Sequence, residues 1–347
     1  MSKTQWLIGG ASLWLVLVTV ARADEPPLER FEFVETHMGS SFQVFLYTTD
    51  RATASRASQA AYRRIAQLDI SFSDYNAESE LSLLCDRAGG PPVGVSDDLF
   101  RILGESATAW RRTGGAFDVT VGPVVRLWRR ARRTRKLPDP ETLARARALV
   151  GFQNVRLDAP TQSVTLLKPG MKLDLGGIAK GYAAGAAIAA LKESGVSRAL
   201  VAGAGDIVTS GPPPGASGWS IGIAPLEAPS SAPARFLLLH DAAVSTSGDA
   251  ERFVEIDGKR YSHIVDPQTG LGLVDRISVT VVAPRGETAD YLDTAVCVLG
   301  PEKGLALVDA TEGAAALIVR ATEAGQKTYE SKRWNSLPKG QPKQTSQ

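Results

Sequence analysis

The chain has 347 residues, with 39 Lys and Arg against 37 Asp and Glu, for a net charge of +2. With 44% apolar and 22% charged residues it has the composition of an ordinary soluble globular protein, which excludes collagen-like, low-complexity and disordered classes, while the even charge singles out no partner. Two cysteines, Cys85 and Cys297, exclude a disulfide-rich scaffold; both sit in apolar surroundings and read as buried thiols, a disulfide between them being neither required nor deducible at this separation.

Met1 to Ala23 has one early cation, Lys3, an apolar run from Trp6 to Val20, and Ala21-Arg22-Ala23 before Asp24. This is the pattern of a secretory signal peptide cut after Ala23. A retained anchor is the alternative, but the run is short for a membrane span and no cysteine follows it to take a lipid. The expected organisation is a signal peptide over 1–23, one large domain over 24–336, and a polar, disordered tail over 337–347.

Phe31–Met38 and Ser41–Thr48 are expected as paired strands around Gly39-Ser40, and Thr53–Leu68 as an amphipathic helix. A polar loop, Phe72 to Ser82, follows. Ser96, with Asp97 and Asp98 behind it, caps a helix that ends near Gly114-Gly115. Ala116 to Pro123 reads as a second glycine-flanked loop. Arg126 to Lys136 holds seven cations in eleven residues. A nucleic-acid patch is one reading, but no aromatic stacking platform or nucleic-acid motif accompanies it. A solvated helix end, or a docking surface for an acidic partner, is preferred. Leu143–Leu149 is expected as a short helix, and Val155–Asp158 with Val164–Lys168 as a hairpin.

The stretch Met171 to Tyr182 (MKLDLGGIAKGY) organises the chain. It is expected to run from a strand through Gly176-Gly177 into a helix, roughly Ile178 to Ser194. Paired glycines allow a sharp turn and close approach to a ligand, and the free N–H groups and dipole of the helix start favour an anion. Lys180 adds a cation, and Asp174 a carboxylate that suits a metal, an amine or a hydroxyl. An ordinary strand-to-helix turn would use the same residues.

Beyond it, strands are expected at Ala199–Ala202, Trp219–Ala224, Phe236–His240, Phe253–Asp257, Tyr261–Val265 and Ile277–Ala283. Asp257-Gly258 marks a hairpin. Helices near Thr288–Leu299 and Glu302–Asp309 precede a last strand, Ala314–Val319. Strands in runs with helices between them point to an α+β fold of mixed or antiparallel sheets with packed helices. Asp290, Asp293 and Thr294 share one helical face, three hard oxygen donors of the kind that suit Mg²⁺ or Ca²⁺, although a solvated helix face would look the same. His263, at a strand end before Pro267 and Gly270, is a candidate general base, or a structural histidine.

Taken together these segments resemble the ApbE family, the FAD:protein FMN transferases, over about Phe31 to Lys332. The resemblance is carried by Thr36–Phe42 (THMGSSF), Asp74–Ser82 (DYNAESELS), Gly114–Thr120 (GGAFDVT), Leu173–Tyr182 (LDLGGIAKGY), Gly203–Asp206 (GAGD), Val244–Asp249, Tyr261–Gly270 and Ala289–Ala295 (ADYLDTA), all in register. Asn76 stands where the family usually has Asp, and Asp293 occurs in only part of it. The resemblance implies a single ApbE-like (T-fold-like) domain and a periplasmic, Mg²⁺-dependent enzyme. Such an enzyme splits FAD, attaches FMN through its phosphate to a Thr or Ser of a client flavoprotein, and releases AMP. It further implies that Met38, Tyr75, Ala116, Phe117, Asp118, Asp174 and Lys180 hold FAD, with Ile264 and His263 beside it. Gly177, Asp290, Asp293 and Thr294 would surround the metal, with His263 as catalytic base. No nucleic acid and no stable membrane anchor belong to this reading. An FAD pyrophosphatase, or a periplasmic flavin carrier without chemistry, would use the same pocket.

Overall fold

The computed structural model describes residues 27–226, 233, 235–248 and 253–341, so the expected signal peptide lies outside the described residues. The frame starts from one hairpin. β1 (Glu29–His37) and β2 (Ser40–Thr48) pair antiparallel around Met38 and Gly39, whose φ values of 50° and 67° suit a two-residue turn. Phe42, Val44 and Leu46 of β2 enter the main core, while Phe45 and Tyr47 face a second cluster. A strand apolar on both faces belongs inside a sheet covered on both sides.

The chain then leaves the sheet through α1 (Arg51–Phe72), α2 (Glu80–Asp86), β3 (Val93–Gly94), α3 (Asp97–Arg112), α4 (Gly122–Thr134), α5 (Pro140–Arg147), β4 (Val155–Asp158), β5 (Ser163–Leu166) and α6 (Ala179–Glu193). Side chains of Asp50, Ser79, Ser96 and Asp139 cap α1, α2, α3 and α5, each accepting from a backbone N–H three residues on. Returning strands are β6 (Arg198–Gly203), β7 (Asp206–Thr209), β8 (Trp219–Ile223), β9 (Arg235–Leu239), β10 (Ala243–Gly248), β11 (Phe253–Ile256), β12 (Lys259–Ser262) and β13 (Ile277–Ala283). After α7 (Gly286–Asp309) come β14 (Ala315–Thr322) and β15 (Gly325–Glu330).

Eight strands form one antiparallel sheet in the order β1-β2-β6-β7-β10-β13-β14-β15. On one face α1, α6 and α7 build the main core with the odd-numbered residues Val279 and Val281 of β13. The other face is covered by the β8–β9 hairpin and Trp334. The fold is the expected α+β.

Several expectations are corrected. Met171–Leu175 is not a strand: the Leu173 N–H donates to Cys85 Sγ (3.2 Å) and the Asp174 N–H to the Val119 carbonyl (2.7 Å), so its backbone is satisfied singly, without a ladder. Gly176 and Gly177 do not take positive φ, and at Gly177 the want of a side chain is steric. Ala116–Pro123 is less a loop than a 3-10 turn at Val119–Val121 running into α4, and the Phe72–Ser82 loop closes early, at α2. The helix expected at Leu143–Leu149 begins at Pro140. Ala314–Val319 is not the last strand, since β15 follows it. Nor is the segment from Leu337 a disordered tail up to Gln341: the Leu238 N–H donates to the Pro338 carbonyl and the Gly340 N–H to that of Phe236, while 342–347 lie outside the described residues. The two helices expected after Thr288 do meet as such, at a kink in α7 where Gly300 takes φ 74° and ψ 179° before Pro301. Both cysteines are buried, and they do not form a disulfide with each other.

Candidate functional site

The site is built where α6 crosses α7. A Cβ on Gly181 would lie 2.2 Å from the Gly286 carbonyl oxygen, and one on Gly286 would lie 2.0 Å from that of Gly181. Two backbones this close leave no room for any side chain, so the glycine pair brings the first turns of both helices together. Asp290, one turn into α7, then reaches the start of α6: its Oδ2 accepts from the Gly181 N–H at 2.9 Å. The anion that the start of α6 was expected to attract is therefore this carboxylate. Gly177 sits in the same crossing, where a Cβ would be 3.1 Å from both Phe117 Cε2 and Thr294 Oγ1.

Around that crossing runs a buried polar chain. Lys180 Nζ pairs with Asp206 Oδ2 at 3.0 Å and approaches the Gly176 carbonyl at 3.4 Å. Asp206 Oδ1 and Asp293 Oδ2 lie 2.7 and 2.6 Å from the same Ser245 hydroxyl, and Asp293 Oδ1 accepts from Thr294 at 3.2 Å. One hydroxyl has one proton, so two carboxylates cannot both receive from it; the Lys180 ammonium sits on Asp206, so Asp293 is the one that carries a proton. Asp293, fully buried, is the one pushed furthest: burial first, then Asp290 and Asp206, hold its carboxyl well above the usual range. Burial and Asp206 push Asp290 up to about 7, against the pull of Lys180. Burial alone would lower the Lys180 ammonium, but Asp206, Asp290 and Asp293 outweigh it and hold the group above its ordinary value. Three buried carboxylates thus face one ammonium.

A second cluster lies on α4. Arg129 binds Asp74, binds Asp174 Oδ2 at 2.8 Å, and places its guanidinium 4.2 Å from the centre of the Tyr75 ring. Tyr75 itself is 78% exposed, a flat aromatic face held at the surface. The other oxygen of Asp174 accepts from the Gly176 N–H at 2.8 Å, which joins this cluster to the α6–α7 crossing. Burial and Asp74 raise the Asp174 carboxyl, and Arg129 opposes them. Asp118 is likewise committed to the fold: Oδ1 accepts from the Thr120 N–H and hydroxyl, and Oδ2 from the Phe152 N–H.

Of the residues singled out from sequence, Gly177, Lys180, Asp290, Asp293 and Thr294 meet at the crossing, with Phe117 against them. Tyr75 and Asp174 meet at Arg129. Met38 stands at the tip of the β1–β2 turn, its N–H donating to Asp69 at 2.8 Å. His263, half-buried between Ser262 and Ile264, follows β12. The β11–β12 hairpin packs on Val124, Trp128 and Ala131 of α4, so α4 touches the segment of His263 with one face and that of Asp174 with another. A cleft of about 590 Å³ opens between Asp118, Gly115, Arg147 and Gln268, bringing the Gly114–Thr120 and Tyr261–Gly270 segments to one concavity. Lys180 and Asp290 do not line it; the polar chain is more deeply buried. Sequence reading missed Asp206, Ser245, Arg129 and Asp74. Asp206, Ser245 and Asp74 lie inside the segments Gly203–Asp206, Val244–Asp249 and Asp74–Ser82, which was the available signal.

The ApbE family model matches residues 38–318. The chain belongs to the ApbE family. Among ApbE relatives, an FAD:protein FMN transferase of Klebsiella pneumoniae is 36% identical over 283 residues, covering 81% of this chain and 86% of that one. One of Treponema pallidum is 33% identical, over 84% and 85%. Among solved structures, the flavin transferase ApbE from Vibrio cholerae superposes with a TM-score of 0.81 at 28% identity, covering 90% and 100% of the two chains. The apo form of the Pseudomonas stutzeri flavinyl transferase ApbE gives 0.80 at 32%, covering 91% and 98%.

Proposed function

We propose that this ApbE-family chain is an Mg²⁺-dependent FAD:protein FMN transferase, working on exported client flavoproteins. The observation that supports the reading best is the α6–α7 crossing, which gathers Lys180, Thr294, Asp290 and Gly177 at one point. The donor set fits a hard divalent cation: carboxylate, hydroxyl and carbonyl oxygens only, with buried carboxylates in excess of the one ammonium. Among the described residues no three His, Cys, Asp or Glu side chains form a ligand group by themselves; in this reading the hydroxyl of Thr294 and the carbonyl of Gly177 would complete the set with Asp290 and Asp293. Bound there, Mg²⁺ would neutralise charge on phosphate oxygens.

The chain's own groups do the rest. Lys180 adds a second positive charge beside the phosphates, and Met38, Tyr75, Ala116, Phe117, Asp118, Asp174 and Ile264 seat FAD, Asp118 and Asp174 by fixing their loops. His263 accepts the proton of the client Thr or Ser hydroxyl as its oxygen attacks the FMN phosphorus. The P–O bond to the AMP half breaks, AMP leaves, and FMN remains on the client as a phosphoester.

Incubation of the purified enzyme with FAD, Mg²⁺ and exported flavoproteins of the same source, followed by intact mass, tests this. One FMN added per client, with AMP formed, is the expected result. Free FMN with unmodified clients would make the enzyme an FAD pyrophosphatase, and unchanged bound FAD a flavin carrier. His263→Ala should bind FAD and melt near the wild type while transfer falls by about 10²–10⁴. Transfer at the wild-type rate would remove His263 from the mechanism. We place the enzyme in the periplasm, its mature form beginning at Asp24, on the leader pattern alone; an intact Met1 on the exported protein would refute that. Among the described residues no helix is long and apolar enough to cross a membrane.

A further inference from the structure

α4 carries Arg126, Arg129, Arg130 and Arg133 at i, i+3, i+4 and i+7, a single stripe along the helix. Only Arg129 turns inward. Arg126, Arg130 and Arg133 are exposed, as are Arg135 and Lys136 just beyond, and none of the five is paired with a carboxylate among the described residues. No acidic residue occurs between Gly122 and Pro138, so the rest of the chain is net negative while this face is strongly positive. The fold does not need these charges: α4 is held by Val124, Trp128 and Ala131 under the β11–β12 hairpin, and arginines four apart on one helix repel.

The stripe leads to the site. Arg129 joins Asp74 to Asp174 beneath the exposed Tyr75 ring, and Arg126 and Arg130 flank it on the same stripe. We propose that this face of α4 docks an acidic segment of the client protein next to its acceptor hydroxyl. The inference rests on the transferase reading, which requires a protein chain to lie across the site mouth. From Arg126 to Arg133 the stripe spans about 10 Å, the reach of roughly three residues of extended chain, so a run of three or four Asp or Glu beside the acceptor fits it. A membrane surface fits less well, because interfacial helices present apolar residues beside their cations and those of α4 are turned into the protein.

The test uses two fluorescein-labelled 12-residue peptides with a central Thr, one flanked by Glu and one by Gln. The wild type should bind the Glu peptide at least about tenfold more tightly at low salt, an advantage that shrinks near 300 mM salt. The triple variant R126E/R130E/R133E should lose that advantage while keeping its FAD affinity and melting temperature; if it folds poorly, R126Q/R130Q/R133Q replaces it. Equal binding of the two peptides by the wild type, or an undiminished preference in the variant, would overturn the proposal. So would binding to phosphatidylglycerol vesicles without peptide preference, which assigns the face to a membrane. Peptide binding needs no turnover, so its failure is separable from failure of the transferase reading, which the client mass decides.

Discussion

At the scale of single residues, the buried carboxylates set the pH behaviour. Asp290 has its carboxyl pushed up to about 7 in the folded chain, above the ordinary carboxylate value of about 4. The folded state therefore holds this proton more tightly than the unfolded one, so the stability it contributes is fully present below about 4 and is lost as pH rises toward 7. A divalent cation held there would bind the ionised form and act in the opposite sense. Mg²⁺ affinity, read by calorimetry, should rise by about tenfold or more per pH unit below 7, and go on rising above it while Asp293 still holds a proton. Affinity that stays flat from pH 5 to 8 would take Asp290 out of the ligand set. Asp290→Asn should lose activity that excess Mg²⁺ partly restores, and wild-type activity in the presence of chelator would sink the metal assignment. Asp206→Asn leaves Lys180 without its ion-pair partner in a site four-fifths buried. It should destabilise the chain by about 3 kcal/mol, a loss that chemical denaturation would measure. This polar chain was the least legible part of the sequence. Lys180, Asp206, Ser245 and Asp293 lie on four elements, and no local pattern announces that a serine hydroxyl will sit between two carboxylates. Asp290 and Thr294 were legible because a single helical turn holds both.

At the scale of elements, the α6–α7 crossing decides whether the site exists. Gly181→Ala puts a Cβ 2.2 Å from a carbonyl oxygen that no rotamer can move, so the helices must part. Overpacking of this kind destabilises by about 1–3 kcal/mol, and Mg²⁺-dependent stabilisation in a thermal melt should vanish with it. Gly177→Ala meets its neighbours at 3.1 Å and should keep the fold while weakening the metal response. Most elements could be read from the chain because their signals are local. Asp257-Gly258 turns β11 into β12 with both residues at positive φ, and Ser96 caps α3 as expected. Two of the strands that escaped reading lack alternation: β7 has four residues and opens on Asp206, and β10 is Ala-Val-Ser-Thr-Ser-Gly. Ser245 joins Asp206 to Asp293 of α7, so these polar positions belong to the site rather than to the core. Met171–Leu175 misled in the other direction: Met171, Leu173 and Leu175 alternate with Lys172 and Asp174 and are buried, but without a strand partner.

At the scale of the whole molecule, the sheet is one surface from β1 to β15, yet the chain does not lay it down in order. β2 pairs with β6 only after residues 49–197 have formed α1 to α6, and Phe42 then faces Gly203 across the ladder. That excursion carries Tyr75, Asp118, Asp174, Gly177 and Lys180, whereas Asp206, Ser245, Asp290 and Thr294 come from the sheet and the helix behind it. Neither half holds a complete site. Closing so long an interval exacts its conformational entropy before the contacts that reward it can form, which makes non-local pairing slow. Competence to bind substrate should consequently be among the last properties a refolding chain acquires. The hairpin of β1 and β2, and the helical signal of the excursion, would appear well before the β2–β6 seam closes. A chain that emerges unfolded across a membrane would thus have finished its transit before it could seize either flavin or metal.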